Sequence, residues 1–279
     1  MPRLSIIIVT FNSREEIDLC LRSVVDHPPS ADHEIVVVDN ASTDGTAAAV
    51  RARWTGVRVI DAGRNLGFAR ANNLGIRQSS GELILLLNPD TIVPAGAIDA
   101  LIGALDARRD AAVAGPRLVD GRGRAELSFG AMMSPIAELR QKAIVRGNDR
   151  GLGAITAYVE RVTRRPKEVD WVSGACMLVR RADAEAAGLM DERYFMYLED
   201  VDFCAAVRAR GRHVLFAPSA EVVHLRGKSR ASALSATEQA YRRSHIALYE
   251  KHHPAWASVL RLYLNLRGRL PDTSVGGRE

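Results

Sequence analysis

The chain has 279 residues, 47% of them hydrophobic and 25% charged, the make-up of an ordinary globular protein, which excludes disorder, collagen-like repeats and a disulfide-dense mini-scaffold. At about 150 residues per domain that length predicts one large domain with an appendage, and a net charge of +5 is too mild to point to nucleic acid as a partner. The distribution of charge says more. From Leu225 onward ten basic residues stand against four acidic ones, and Arg140 to Glu168 holds eight basic against three acidic, so the remainder is net acidic. An acidic body with two basic segments predicts carboxylates gathered for chemistry and an anionic surface or substrate beside them.

Leu4 to Val9 is a short β-branched run, and Ile17, Leu21, Val24 and Val25 follow at helical spacing, predicting strand, loop and helix. The unit repeats. Glu34 to Val38 reads as a second strand, Ser42 to Gly45 cap a helix running to about Arg53, and Val57 to Ile60 is a third strand. A Gly-Arg-Asn-Leu-Gly loop then leads into a helix over Phe68 to Gln78, and Glu82 to Leu87 is a fourth, apolar strand. Strands buried on both faces and alternating with helices predict an α/β fold with a mostly parallel sheet. From Gly121 to Pro166 no period is visible, which predicts a mobile or acceptor-facing loop. Order returns with a strand-like run from Val169 to Val179 broken at Ser173-Gly174, then a short helix from Ala182 to Gly188. The acidic cluster Glu199-Asp200-Val201-Asp202 opens a helix to about Arg210, and strands start at His213 and Glu221.

Cys20, Cys176 and Cys204 are too few and too scattered for a disulfide framework or a Cys-x-x-Cys metal site, so they read as reduced, buried thiols. No signal-peptide layout opens the chain, and no stretch approaches about 18 uncharged apolar residues. The expectation is a cytoplasmic protein. Thr10, Asn12, Asp39, Asn65 and Asp90 lie just past the carboxyl ends of the strands, the edge where open parallel sheets bind ligands. Loop Asn and Asp also cap helices, but their recurrence along one edge favours a site.

Taken in order, IIIVTFNS, VVVDNASTDGT, GRNLGFARANNLGI, LLLNPD, VSGACMLVRR, FMYLEDVDFC and VVHLRG resemble an inverting family 2 glycosyltransferase with a GT-A fold, a mixed, mostly parallel Rossmann-like sheet flanked by helices. The bacterial rhamnosyltransferase-like members are the nearest in appearance. The resemblance covers about Leu4 to Gly227 and implies a catalytic domain over residues 1–227 with a basic helical extension over 228–279.

The resemblance implies a nucleotide-sugar site in which Asp39 accepts the imide N–H of a pyrimidine base, a task suited to a carboxylate, with Thr10 and Asn12 flanking base and ribose. Asn65, Gly67, Arg70 and Asn73 fall in a loop entering a helix, where free N–H groups and a cation suit phosphate oxygens; helix capping or packing is the other reading for Asn72 and Asn73. Asn88-Pro89-Asp90 stands where the family has Asp-x-Asp, leaving Asp90 as the ionic ligand for Mg²⁺ or Mn²⁺, with phosphate oxygens completing the shell. His224 matches a position that adds a metal contact in some relatives, or else is a structural histidine. Asp200 corresponds to the catalytic base and Glu199 to its acidic neighbour; like-charge crowding would raise one pKa. Asp202 is expected on backbone N–H groups of the first helical turn. Trp171, Ser173 and Gly174 are implied beside the sugar and acceptor.

The implied reaction moves a sugar, best matched by rhamnose from dTDP-rhamnose, to a glycan or lipid-linked saccharide in cell-wall or polysaccharide synthesis. A UDP-hexose donor and a non-catalytic glycan- or nucleotide-binding module are the alternatives. A Rossmann dehydrogenase is excluded because no G-x-G-x-x-G follows the first strand. Pro254 to Leu270 sets Trp256, Val259, Leu260, Tyr263, Leu264 and Leu266 among Arg261, Arg267 and Arg269. That basic amphipathic pattern fits peripheral contact with the inner face of a membrane, or packing on the catalytic domain or on a second subunit of a homodimer.

Overall fold

The computed structural model of the chain describes residues 1–225 and 234–271. Four strands, β1 (Leu4–Thr10), β2 (His33–Asp39), β3 (Val57–Asp61) and β4 (Leu83–Leu87), lie parallel in the order β3-β2-β1-β4. The sheet continues beyond β4 through β10 (Cys176–Arg180), β6 (Ala111–Val119), β11 (His213–His224) and β5 (Thr91–Ile92), and β8 (Lys167–Val169) pairs with β11 off this path. β10 is antiparallel to β4 and β6, while β6 and β11 are parallel. A two-stranded sheet of β7 (Phe129–Gly130) and β9 (Trp171–Val172) stands beside it.

Every residue of β1 and β4 is buried, as strands covered on both faces must be. Alternation sends Ile6 and Ile8 to one face and Ile7 and Val9 to the other. The first face packs on α1 (Arg14–Asp26), α2 (Thr46–Arg53) and α4 (Ala97–Asp106); the second on α3 (Phe68–Arg77), α7 (Arg181–Ala186) and α8 (Glu199–Arg208). All three cysteines are buried in this core and free, and burial raises each thiol's pKa, to about 12 for Cys20 and Cys204.

Three stretches differ from the sequence expectation. Where residues 121–166 were expected to form a loop, two helices stand, α5 (Pro135–Asp149) and α6 (Gly153–Val162). Ser134 caps α5 by accepting from Ala137 N, with Pro135 in its first turn, a start signal that does not depend on apolar period. Only Glu138 and Gly147 of α5 are buried, so no hydrophobic stripe advertises it. The two expected strands after His213 are one strand, β11, with irregular register between Ala217 and Glu221. Neither α4 nor β6 was foreseen.

The C-terminal helices are α9 (Leu234–His252) and α10 (Pro254–Leu266), and α9 is fastened to the body. Ser244 Oγ donates to Met196 O at 2.8 Å, and Tyr249 Oη donates to Glu138 at 2.8 Å. The expected domain boundary at residue 227, and the charges of Arg226, Lys228, Arg230, Asp272, Arg278 and Glu279, lie outside the described residues. Among the described residues no helix is long and apolar enough to cross a membrane.

Candidate active site

The carboxyl ends of β1, β2 and β4 bring Thr10, Asp39 and Asn88 to one edge. Asp39 Oδ2 accepts from Ser42 N at 3.0 Å, which fixes the carboxylate; its Oδ1, Thr10 Oγ1 and Asn88 Oδ1 are buried without a hydrogen-bond partner among the described residues. An orphaned buried polar atom costs about 1–3 kcal/mol, and three along one strand edge are most simply explained by a ligand that supplies the partners. Asn12 braces this edge instead of projecting from it. Its N–H donates to Ser42 Oγ and its Oδ1 accepts from Thr43 N at 2.8 Å, and it holds a left-handed φ of 50°.

The loop ahead of α3 is shaped by Asn40, which sequence reasoning passed over although it directly follows Asp39. Its Nδ2 donates to Asn65 Oδ1 at 2.9 Å and its Oδ1 accepts from Leu66 N at 2.7 Å. Gly67, at φ +78°, faces Phe195 O so closely that a Cβ would lie 2.3 Å from it, so only glycine fits. Arg70 is half-exposed and 3.4 Å from Glu192. Asn73 does not face the proposed phosphate position. It is buried, donates to Met190 O at 2.8 Å and accepts from Met190 N at 3.1 Å, so its amide ties α3 to the 190–192 turn, which is the packing reading.

Beyond β4, β5 pairs with the end of β11, His224 opposite Thr91, and this sets His224 Nε2 3.4 Å from Asp90 Oδ1. The other ring nitrogen is 3.4 Å from Glu126 Oε2, a buried acid that no sequence signal singled out. Burial opposes a charged imidazole here, but the contacts with Asp90 and Glu126 outweigh it and push His224 up to about 9. Among the described residues no three acidic, histidine or cysteine side chains are set to hold a metal by themselves.

On the other side of the sheet edge, two consecutive left-handed residues, Tyr197 and Leu198 (φ 69° each), precede α8. Such backbone costs about 1–2 kcal/mol per residue and collects at functional sites. It delivers Glu199 and Asp200 into the first turn of α8. Asp200 Oδ2 accepts from Gly174 N at 2.9 Å and Oδ1 from Val201 N at 2.8 Å. Burial raises the Asp200 carboxyl above its usual range against those two donors. Burial, with Asp200 beside it, holds Glu199 well above the carboxylate range, and Glu199 Oε2 has no hydrogen-bond partner among the described residues. Contrary to the expectation that it would bind backbone N–H groups of the first helical turn, Asp202 is surrounded by Tyr194 Oη, Lys251 Nζ at 2.8 Å and His252 Nε2 at 2.6 Å, because α9 crosses that end of α8.

Trp171 of β9 donates from Nε1 to Ala131 O at 2.9 Å, Ser173 Oγ accepts from Ala175 N at 3.3 Å, and Gly174 packs on Asp200 and Phe68. Trp171, Glu199 and Asp200 line a cavity of about 470 Å³ whose opposite wall is α5 and α6. The structure thus gathers Thr10, Asp39 and Asn88 at the strand edge, pairs Asp90 with His224, and sets Trp171, Glu199 and Asp200 around the cavity with Gly174 holding Asp200. It leaves Asn12 and Asn73 as braces.

The family model of Glycosyl transferase family 2 matches residues 5–187. Over 96% of its length the chain is 33% identical to N-acetylglucosaminyl-diphospho-decaprenol L-rhamnosyltransferase of Mycobacterium tuberculosis (strain ATCC 25618 / H37Rv), covering 90% of that protein. It is 25% identical to Rhamnosyltransferase WbbL of Escherichia coli (strain K12) over 57% of the chain and 60% of that protein. Among solved structures, the mannosyltransferase PcManGT of Pyrobaculum calidifontis, in complex with GDP-Man and Mn²⁺, superposes with a TM-score of 0.61 at 18% identity, over 95% of this chain and 70% of that one. GalNAc-T7 with UDP, GalNAc and Mn²⁺ gives 0.63 at 16%, over 99% of this chain and 59% of that one. With a GT-A sheet and a family match over most of its length, the chain belongs to glycosyl transferase family 2 and is a glycosyltransferase.

Proposed function

We propose that the enzyme transfers L-rhamnose, with inversion, from a thymidine diphosphate donor to the sugar of a lipid-linked diphosphate acceptor, with Asp200 as the base. The reading is supported by the kinship with a rhamnosyltransferase named for such an acceptor, and the observation that carries the chemistry is the half-buried, hydrogen-bonded Asp200 facing a cavity large enough for a saccharide. Asp39 Oδ1 and Thr10 Oγ1 are unsatisfied acceptors suited to the imide N–H and hydroxyls of a pyrimidine nucleoside. Asn65, Gly67 and Arg70 border the diphosphate.

GT-A relatives solved with Mn²⁺ raise the question of a divalent cation. Asp90 and His224 face each other, and Asn88 Oδ1 lies buried and unpaired nearby in sequence. That donor set fits a cation completed by the donor's own phosphate oxygens, and does not fit a protein-only metal centre. Such an ion would neutralise charge on the departing diphosphate. The protein's share is positional: the Gly174 and Val201 N–H groups hold the Asp200 carboxylate toward the cavity. Asp200 takes the acceptor hydroxyl's proton as that oxygen bonds to the anomeric carbon and the carbon–oxygen bond to the diphosphate breaks. Trp171 and Ser173 border the transferred sugar. Because the acceptor of the relative is lipid-linked, α10 is proposed to meet the inner face of the membrane peripherally.

The test is a panel of dTDP-, UDP- and GDP-sugars read by thermal shift with Mn²⁺, since a ligand bound by the folded state raises apparent stability. The expected result is stabilisation by dTDP-rhamnose, and an Asp200→Asn variant that binds this donor as the wild type does but transfers about 10²–10⁴-fold more slowly. Stabilisation by a UDP-hexose alone would replace the donor, and undiminished transfer by the variant would remove Asp200 as base.

A further inference from the structure

The basic segment from Arg140 to Glu168 has no part in the mechanism above, yet it folds against the catalytic acids. α5, α6 and β8 form the wall of the 470 Å³ cavity opposite Glu199 and Asp200, and three of its cations, Arg140, Lys142 and Lys167, line that space. They are not equivalent. Lys142 is committed: it forms an ion pair with Glu138, which His245 and Tyr249 also engage. Arg140 and Lys167 have no ion-pair partner among the described residues. Lys167 extends from β8, opposite Phe216 of β11, and holds its ammonium 4.2 Å from the centroid of the Phe129 ring. Burial lowers its pKa, so the site loses free energy by keeping it charged without a counter-ion. Aromatic faces from Phe129, Tyr158, Trp171 and Tyr241 complete the walls, surfaces suited to a sugar ring and to an isoprenoid chain. On the same helix as Arg140 and Lys142, α5, Ile136 and Leu139 are exposed at 82% and 71%.

We infer that this cavity receives the acceptor as a glycosyl diphosphate, with Arg140 and Lys167 binding its phosphate oxygens while the sugar hydroxyl reaches Asp200. A carboxylate at one wall and uncommitted cations at the other match a ligand that is neutral where it reacts and anionic where it is carried. Charge-assisted bonds to phosphate are the strong class of hydrogen bond, so the two cations would select for acceptors that bear the diphosphate. The inference rests on the lipid-linked reading of the acceptor, but binding can be measured without any sugar being transferred.

The experiment is calorimetric titration of the full chain, its donor site saturated with dTDP, with two probes: N-acetylglucosamine diphosphate esterified to a short isoprenoid, and the octyl glycoside of N-acetylglucosamine, which lacks phosphate. The expected result is at least tenfold tighter binding of the diphosphate probe. Arg140→Gln and Lys167→Met should each erase most of that preference while leaving dTDP affinity and the melting temperature unchanged. Arg140 is exposed, so its variant keeps the test valid if Lys167→Met fails to fold. Equal binding of the two probes, or a preference that survives both substitutions, overturns the subsite. A wild-type preference that both substitutions erase, in a protein that nevertheless fails to transfer rhamnose, would retain the subsite and reject only the donor.

Discussion

At the scale of single residues, two adjacent carboxyls, Glu199 and Asp200, sit in different environments. Glu199 is held well above the carboxylate range by burial and by Asp200, so of the two it keeps its proton to higher pH. Asp200 is raised less, because Gly174 and Val201 donate to its ionised form. A base must be ionised to act, and a raised pKa moves the loss of the ionised form to higher pH. The acid limb of kcat/KM against pH is therefore expected to have its midpoint above 3.8, with activity rising as pH increases. Glu199→Gln, which mimics the protonated acid, should retain transfer within about tenfold, whereas Asp200→Asn should lose about 10²–10⁴-fold. A pH–rate series on both variants checks the division, and the reverse ranking would make Glu199 the base.

At the scale of elements, the strand–helix alternation and the polar strand ends were legible because they are local: period two, period 3.6 and Asn or Asp where a strand stops. What stayed hidden is held by long-range pairs. Glu126 meets His224, and Asp202 meets Lys251 and His252, across distances in sequence that no window spans. Helix α5 escaped notice because its buried residues are a glycine, Gly147, and one acid, Glu138, which His245 and Tyr249 of α9 receive. That clamp carries its own prediction. Burial works against ionised Glu138, but His245 and Lys142 outweigh it and hold its carboxyl down at about 2. A depressed carboxyl contributes stability that is complete above its unfolded-state pKa and is lost as pH falls from there through about 2. Urea unfolding from pH 6 to pH 3 should thus show the wild type losing stability more steeply than Glu138→Gln. The variant should be on the order of 3 kcal/mol less stable at pH 6. Parallel curves would show that the clamp is energetically silent.

At the scale of the whole molecule, the C-terminal helices do two different things. α9 is built into the body, but α10 buries only Ala257 and Leu264. Trp256, Val259, Leu262, Tyr263 and Leu266 remain exposed, Leu266 at 77%, and at 3.6 residues per turn they fall on one side of the helix, opposite the buried pair; Leu270, also exposed, follows the helix. No acidic residue occurs from Pro254 to Leu270, and Arg267 and Arg269 follow the stripe. An apolar stripe beside cations fits the boundary between anionic headgroups and acyl chains. His253, at the head of α10, lies 2.5 Å from Met133 O, just before α5, so the stripe starts beside the helix that lines the cavity and carries the exposed Ile136 and Leu139. A bilayer meeting both would present a lipid-linked acceptor to the cavity without drawing it far from the membrane. Flotation with vesicles of phosphatidylglycerol and phosphatidylcholine should carry the wild type, while vesicles of phosphatidylcholine alone should carry less. Leu262→Glu with Leu266→Glu should abolish binding to both, and rising salt should weaken the anionic component. Sedimentation velocity separates the competing occupant: a dimer that the same two substitutions dissociate, with no flotation by the wild type, would make the stripe an interface between copies of the chain.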